Sequence, residues 1–291
     1  MKIKLLTLLL FSSAFVLAQK SAESTGTPST KSIIDLSEAL QGQLITLELE
    51  SNGGYTGASM QFTCKNKINK PLRIRIPQGQ LIAPQDSSLQ TLVIAQEQLI
   101  SVSAKVPFIG KLRTFCTEAG DLSPGLGDKF SVAAMAPDRL CKLLKMLTEK
   151  GKLEQESAQA AVWSVSNGRH LGGISDQEVK QFAAELLGKT PPPYHIKYKI
   201  TEAPRQLADN GKALVIESNF QYTLEKDDKL SLILYDSNNK QIKVLEKDAP
   251  AKAGEHRSGL KVEVWNLDSG KYYLRLKKKN GGVVKEMEVE F

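Results

Sequence analysis

Three cysteines, Cys64, Cys116 and Cys141, carry the sharpest chemistry in this sequence. An odd number in an oxidising compartment leaves at least one thiol unpaired, or bonded to something other than a cysteine. Cys116 sits in Thr114-Phe115-Cys116-Thr117-Glu118 at the end of an expected strand, where a disulfide to Cys64 or Cys141 is one use for it. Gln159 stands in Ala158-Gln159-Ala160-Ala161-Val162-Trp163, and Val162 and Trp163 at i+3 and i+4 put it on the apolar face of a helix. The three histidines, His170, His195 and His256, fall in three separate segments, and no G-x-S-x-G is present, so no nucleophile-base-acid set can be read off. His170, in the Gly-rich run from Ser166 to Gly173, is the most site-like of them, and with a carboxylate such as Asp121 it would define a secreted hydrolase. Asp121 and Asp128 in the segment 120–128 offer oxygens to a calcium ion, but their spacing matches no EF-hand. No phosphate-cradling loop and no cofactor motif is found, so the expectation is a chain without a cofactor.

A cysteine following an aromatic residue, and a glutamine preceding an apolar-Trp pair on a helix, resemble the two motifs of thioester domains in bacterial surface adhesins. The resemblance spans residues 112–167. It implies that the Cys116 thiolate attacks the Gln159 carboxamide carbon, that ammonia leaves, and that the resulting thioester is captured covalently by a partner's amine. A buried apolar setting would keep water from it. A disulfide that includes Cys116, with Gln159 hydrogen-bonded inside the helix layer, is the alternative for the same residues.

Such a pair needs elements to hold it. The 291 residues are 41% hydrophobic and 24% charged, values of an ordinary globular chain with room for about two domains. The formal charge of +7 is too mild for a nucleic-acid footprint, which concentrates many cations on one face. Lys2 and Lys4 precede an apolar stretch from Leu5 to Leu17, with Val16 and Ala18 at the small-residue positions of a cleavage site. This predicts a signal peptide over 1–18, a secreted or cell-surface product and no membrane-spanning segment in the mature chain. The small polar residues 19–32 read as a flexible leader.

From Leu44 the pattern alternates with period two in the segments 44–50, 59–65, 71–77, 89–95, 99–106 and 111–116, separated by Gly, Pro, Asn and Ser clusters. This predicts a β-sandwich over 33–190. Within it the period shifts to helical. Leu140, Leu143, Leu144 and Leu147 form one stripe after Pro137 and Asp138, a second helix is expected from Gln155 to Val165, and a third starts at Ser175 with Glu178 completing a capping box. Pro191, Pro192 and Pro193 mark a linker. The segment 194–291 carries seven strand-like runs with hairpin signals at Ser237–Lys240 and Lys279–Gly282, the size of an immunoglobulin-like sandwich. The fold class is therefore mainly β, with about three packed helices in the first half. Phe220, Tyr222, Tyr235, Trp265 and Tyr272 are the rings expected in the last core, and Lys277, Lys278, Lys279 and Lys285 are expected on solvated strand edges.

Within that last third, Phe220-Gln-Tyr-Thr-Leu, Leu230-Ser-Leu-Ile-Leu-Tyr-Asp, Lys240-Gln-Ile-Lys-Val-Leu, Ala253-Gly-Glu-His256, Trp265-Asn-Leu-Asp-Ser-Gly270 and Lys271-Tyr-Tyr-Leu-Arg-Leu carry a second likeness. In order and type they resemble the immunoglobulin-like fold shared by the flagellar hook-capping protein and the C-terminal sorting domains of the Bacteroidota type IX secretion system. The resemblance implies a bacterial exported protein whose last domain serves export or attachment, with the secretion machinery as a partner. With export and sandwich modules present and no catalytic set in view, binding of an extracellular protein or glycan is favoured over catalysis.

Overall fold

Alternation along the first half does produce strands, of three to eleven residues. The computed structural model describes residues 32–201, 203–207 and 209–291; the expected signal peptide and nearly all of the expected leader lie outside the described residues. The strands are β1 (Ile33–Asp35), β2 (Ile45–Asn52), β3 (Thr56–Asn66), β4 (Leu72–Ile76), β5 (Gln80–Pro84), β6 (Leu92–Ile94), β7 (Gln98–Val102), β8 (Phe108–Cys116) and β9 (Leu126–Met135). A short helix, α1 (Leu36–Gln41), follows β1. Strands β2-β3-β8-β6-β5-β9 close into a barrel, and β1-β4-β7 make a separate three-stranded sheet whose β1–β4 pair is parallel.

The expected sandwich is thus corrected to a barrel. β5 and β9, which alternation did not reveal, are the strands that close it, pairing with each other and with β6 and β2. Register shifts between Gly57 and Met60, Glu50 and Asn52, and Gln80 and Ile82 add the local twist that closure requires. A sandwich and a small barrel bury one face per strand alike, so alternation cannot separate them. Leu49, Met60, Phe62, Cys64, Ile82, Leu112 and Phe130 from the barrel share one core with Ile74, Ile76, Ile100 and Val102 of the small sheet.

The Leu stripe forms α2 (Asp138–Glu149), followed by α3 (Glu156–Asn167) and α4 (Gln177–Leu187). Asp176, not Ser175, caps α4: its carboxylate accepts from Val179 N at 3.0 Å. The three helices pack on one another and on Val93 and Phe115, which point outward from β6 and β8 into a second core. Gly168, at φ 78°, ends α3 in the left-handed region and turns the chain into a single 3₁₀ turn, Leu171–Gly173.

All seven expected strands of the last third are present: β10 (Tyr194–Ile200), β11 (Asp209–Leu224), β12 (Asp228–Asp236), β13 (Gln241–Ala251), β14 (Gly254–Glu263), β15 (Lys271–Lys278) and β16 (Val283–Glu290). They form two antiparallel sheets, β10-β11-β14 and β13-β12-β15-β16, around a third core that includes Ile216, Phe220, Leu234, Leu274 and Val289. Trp265 departs from expectation: it is 55% exposed, one step out of phase with buried Leu260, Val262 and Val264. Lys277 and Lys278 lie on β15, an interior strand, and Lys277 sits 5.9 Å from the Tyr235 ring rather than guarding an edge. No helix among the described residues is long and apolar enough to cross a membrane.

Candidate functional site

Cys116 is the last residue of β8, and alternation along that strand turns Phe115 toward the helices and Cys116 into the barrel-side core. Helix α3 crosses the end of β8 with Gln159, Trp163 and Ser166 on one face, at i, i+4 and i+7. Gln159 is 4% exposed, and its carboxamide is docked on the peptide groups of Cys116 at two points. Cys116 N donates to Gln159 Oε1 at 3.1 Å, and Gln159 Nε2 donates to Cys116 O at 2.8 Å. About two turns on, Ser166 Oγ donates to Thr117 O at 2.6 Å, so α3 holds both Cys116 and the residue after it. Cys116 N also lies 3.2 Å from Tyr55 O, and the Tyr55 ring stacks on Trp163 at 5.8 Å.

The two residues that the sequence singled out, separated by 43 positions, are therefore neighbours. Burial pushes the Cys116 thiol well above the ordinary cysteine range, and the nearby Glu118 charge pushes the same way. Glu118 itself accepts from Thr91 N at 2.8 Å, which fixes the segment just past Cys116.

The disulfide alternative is not what the structure contains. Cys64, Cys116 and Cys141 are all free. Cys64 is fully buried on β3 inside the barrel, where desolvation raises its pKa to about 11. Cys141 lies on α2 with its thiol 3.4 Å from Ala136 O.

Gln159 lies on the wall of a cleft of about 720 Å³, bounded by the end of β8, α3, the 3₁₀ turn and β10. Tyr55, Phe115 and Trp163 are among its apolar lining, and His170 and His195 also line it. Arg113, paired with Glu154, and Lys197, 2.9 Å from Glu217, add charge at its margins. The indole nitrogen of Trp163 is buried and has no acceptor among the described residues.

The histidines are where sequence reasoning missed most. Two of the three converge on one residue, Gly172. Gly172 N donates to His170 Nδ1 at 3.0 Å, while His195 Nδ1 lies 2.9 Å from Gly172 O. A Cβ on Gly172 would fall 2.8 Å from His170 Nδ1 and 2.8 Å from Ile196 Cδ1, so this approach needs glycine. Burial lowers the pKa of both rings, His195 having Lys180, Glu217 and Lys197 as its charged neighbours. The contact spans 23 positions and has no local signature that a sequence reading could use. His256 is elsewhere, stacked on Tyr222 at 4.8 Å.

The hydrolase pairing of His170 with Asp121 is not formed. His170 is oriented by Gly172 and stacks on Tyr194 at 6.0 Å, and Asp121 is exposed on a loop outside the cleft. Asp128 is engaged by Arg205 and by Gly125 N, which donates to it at 2.7 Å. Among the described residues no group of three or more His, Cys, Asp or Glu side chains is gathered as a metal site, and Asp121 and Asp128 form no such group. No protein-family model matches the chain, and no curated protein matches it either.

Proposed function

We propose that this is a secreted bacterial surface or extracellular binding protein that fixes itself to amine-bearing partners through an internal thioester between Cys116 and Gln159. The carrying observation is the two-point docking of the Gln159 carboxamide on the Cys116 peptide at the wall of a cleft. The docking is made to the Cys116 N–H and carbonyl; that the residue held in this way is a cysteine, and that the glutamine borders a cleft, is what supports the reading.

The chemistry follows from the groups present. The Cys116 sulfur bonds to Gln159 Cδ, the Cδ–Nε2 bond breaks, and the thiol proton leaves with the nitrogen as ammonia. Cys116 N–H, already donating to Oε1, polarises the carbonyl and steadies the charge that develops on that oxygen in the tetrahedral adduct. In capture, an amine attacks Cδ, the C–S bond breaks, and one amine proton ends on the Cys116 sulfur, leaving an amide and a free thiol. Phe115, Trp163 and Tyr55 give the cleft an apolar wall beside the carboxamide, a setting that slows hydrolysis of the thioester.

The last sandwich, by the resemblance of its motifs, serves export or attachment in this reading and takes no part in the bond. The test is to treat the purified chain with methylamine and sequence its peptides by tandem mass spectrometry. A methylamide on Gln159, with Cys116 becoming open to thiol labelling, is expected. An unmodified Gln159 and equal labelling before and after would instead favour a non-covalent binding protein.

A further inference from the structure

We infer that His195 is the base that takes the proton from the incoming amine, and that Gly172 is the positioning residue that sets it for this task. The inference rests on the thioester reading and adds to it the group that makes the attacking nitrogen nucleophilic.

The argument begins with hydrogen-bond polarity. A carbonyl oxygen only accepts, so the 2.9 Å contact to Gly172 O requires a proton on His195 Nδ1. The neutral ring then carries its lone pair on Nε2, which has no hydrogen-bond partner among the described residues. His170 is set the opposite way: its Nδ1 accepts from Gly172 N, so its own proton sits on Nε2. One peptide residue thus fixes two imidazoles of the same cleft in complementary tautomers, one offering a lone pair and the other an N–H.

The surroundings keep the ring neutral. Burial acts first, and Lys180 from α4 and Lys197 on β10 oppose a positive ring. Glu217 on β11 and the Gly172 carbonyl pull the other way, and the net direction is a lowered pKa. A protonated amine cannot attack a carbonyl carbon, and the zwitterionic adduct reverts unless it loses a proton. In the proposed step the nitrogen bonds to Gln159 Cδ, His195 Nε2 takes one of its protons, and the C–S bond then breaks. The Cys116 thiolate, strongly disfavoured where it is buried, is protonated in turn, so the imidazole returns to neutral and no charge is left behind.

His195→Asn separates this role from a structural one, because the Asn amide can still donate to Gly172 O while offering no basic nitrogen. The full-length variant is first weighed intact; a mass one ammonia short shows that the thioester has formed and the fold is sound. Methylamine uptake is then followed against pH and expressed per free-base amine. For the wild type the rate rises with pH through a limb below pH 6.5 and levels above it. For His195→Asn we expect uptake at pH 7 to fall by about tenfold or more, the limb to vanish, and added imidazole to restore part of the rate. A variant that carries the thioester yet reacts at the wild-type rate overturns the proposal, as does loss of the limb in His170→Asn in place of His195→Asn. A wild-type chain with no ammonia deficit is a different failure: it removes the thioester itself, and the inference goes with it.

Discussion

The seam between β8 and α3 and the interior of the last sandwich are both buried, yet they are built from different materials. The sandwich interior is aliphatic and aromatic, with Leu234, Leu274 and Val289 fully buried and no buried carboxamide among its core residues. The seam buries Gln159, Ser157, Thr114, Thr117 and Ser164. Most of its polar groups have specific partners, as in the two bonds between Gln159 and the Cys116 peptide, although the Trp163 indole nitrogen has none among the described residues. Apolar packing tolerates rearrangement at small cost, whereas a buried amide without its partners costs about 1–3 kcal/mol. Polar burial of this kind buys geometry, and here the geometry it fixes is that of one carboxamide against one cysteine.

The comparison is broken most completely at the seam. Gln159→Ala and Cys116→Ala should each abolish methylamine uptake while leaving the sandwich folded, as read by uptake mass spectrometry beside circular dichroism. In the sandwich the opposite split is expected. Leu274→Ala, at the centre of an interior strand, should cost about 2–5 kcal/mol in a denaturant titration and leave uptake by the folded fraction unchanged.

A smaller effect sharpens the boundary between the two regions. Lys180 on α4 is buried, donates to Tyr194 O of β10 at 2.8 Å, and has its pKa lowered by desolvation to about 8. In the unfolded chain the amine holds its proton up to the ordinary value of 10.5. Between about 8 and 10.5 the unfolded state therefore binds more protons, and stability should rise with pH across that window. Below about 8 both states are protonated and the penalty is constant. Denaturant midpoints measured from pH 7 to 10.5 should show this rise, and Lys180→Met should flatten it. The smallest effect belongs to the exposed ring: Trp265→Ala should change stability by no more than about 0.5 kcal/mol, in contrast to a core tryptophan.

How much of this was legible depended on whether the signal was local. The Leu140–Leu147 stripe and the alternation in β15 and the end of β16 report which face is buried, and those elements stand where the periodicity puts them. The contact between Cys116 and Gln159 spans 43 positions and has no local signature; only the resemblance of their two short runs to thioester-domain motifs set them side by side, and the bond itself is a proposal. Trp265 shows that phase outranks ring size: buried Val262 and Val264 mark the inward positions, and the ring one residue on faces out. Ser175 and Asp176 are adjacent acceptors, and only backbone geometry chooses the cap. Barrel closure rests on β5 and β9; in β9 Phe130 alone is buried, so its apolar rhythm is weak. The meeting of His170 and His195 at Gly172 is a product of topology alone.

The most direct test of the central claim is the intact mass of the purified, untreated chain, measured under conditions that spare thioesters, with thiol labelling alongside. The account predicts a mass one ammonia below that of the mature sequence, with Cys116 closed to label. A mass equal to the mature sequence, with Cys116 labelled on unfolding, would contradict it.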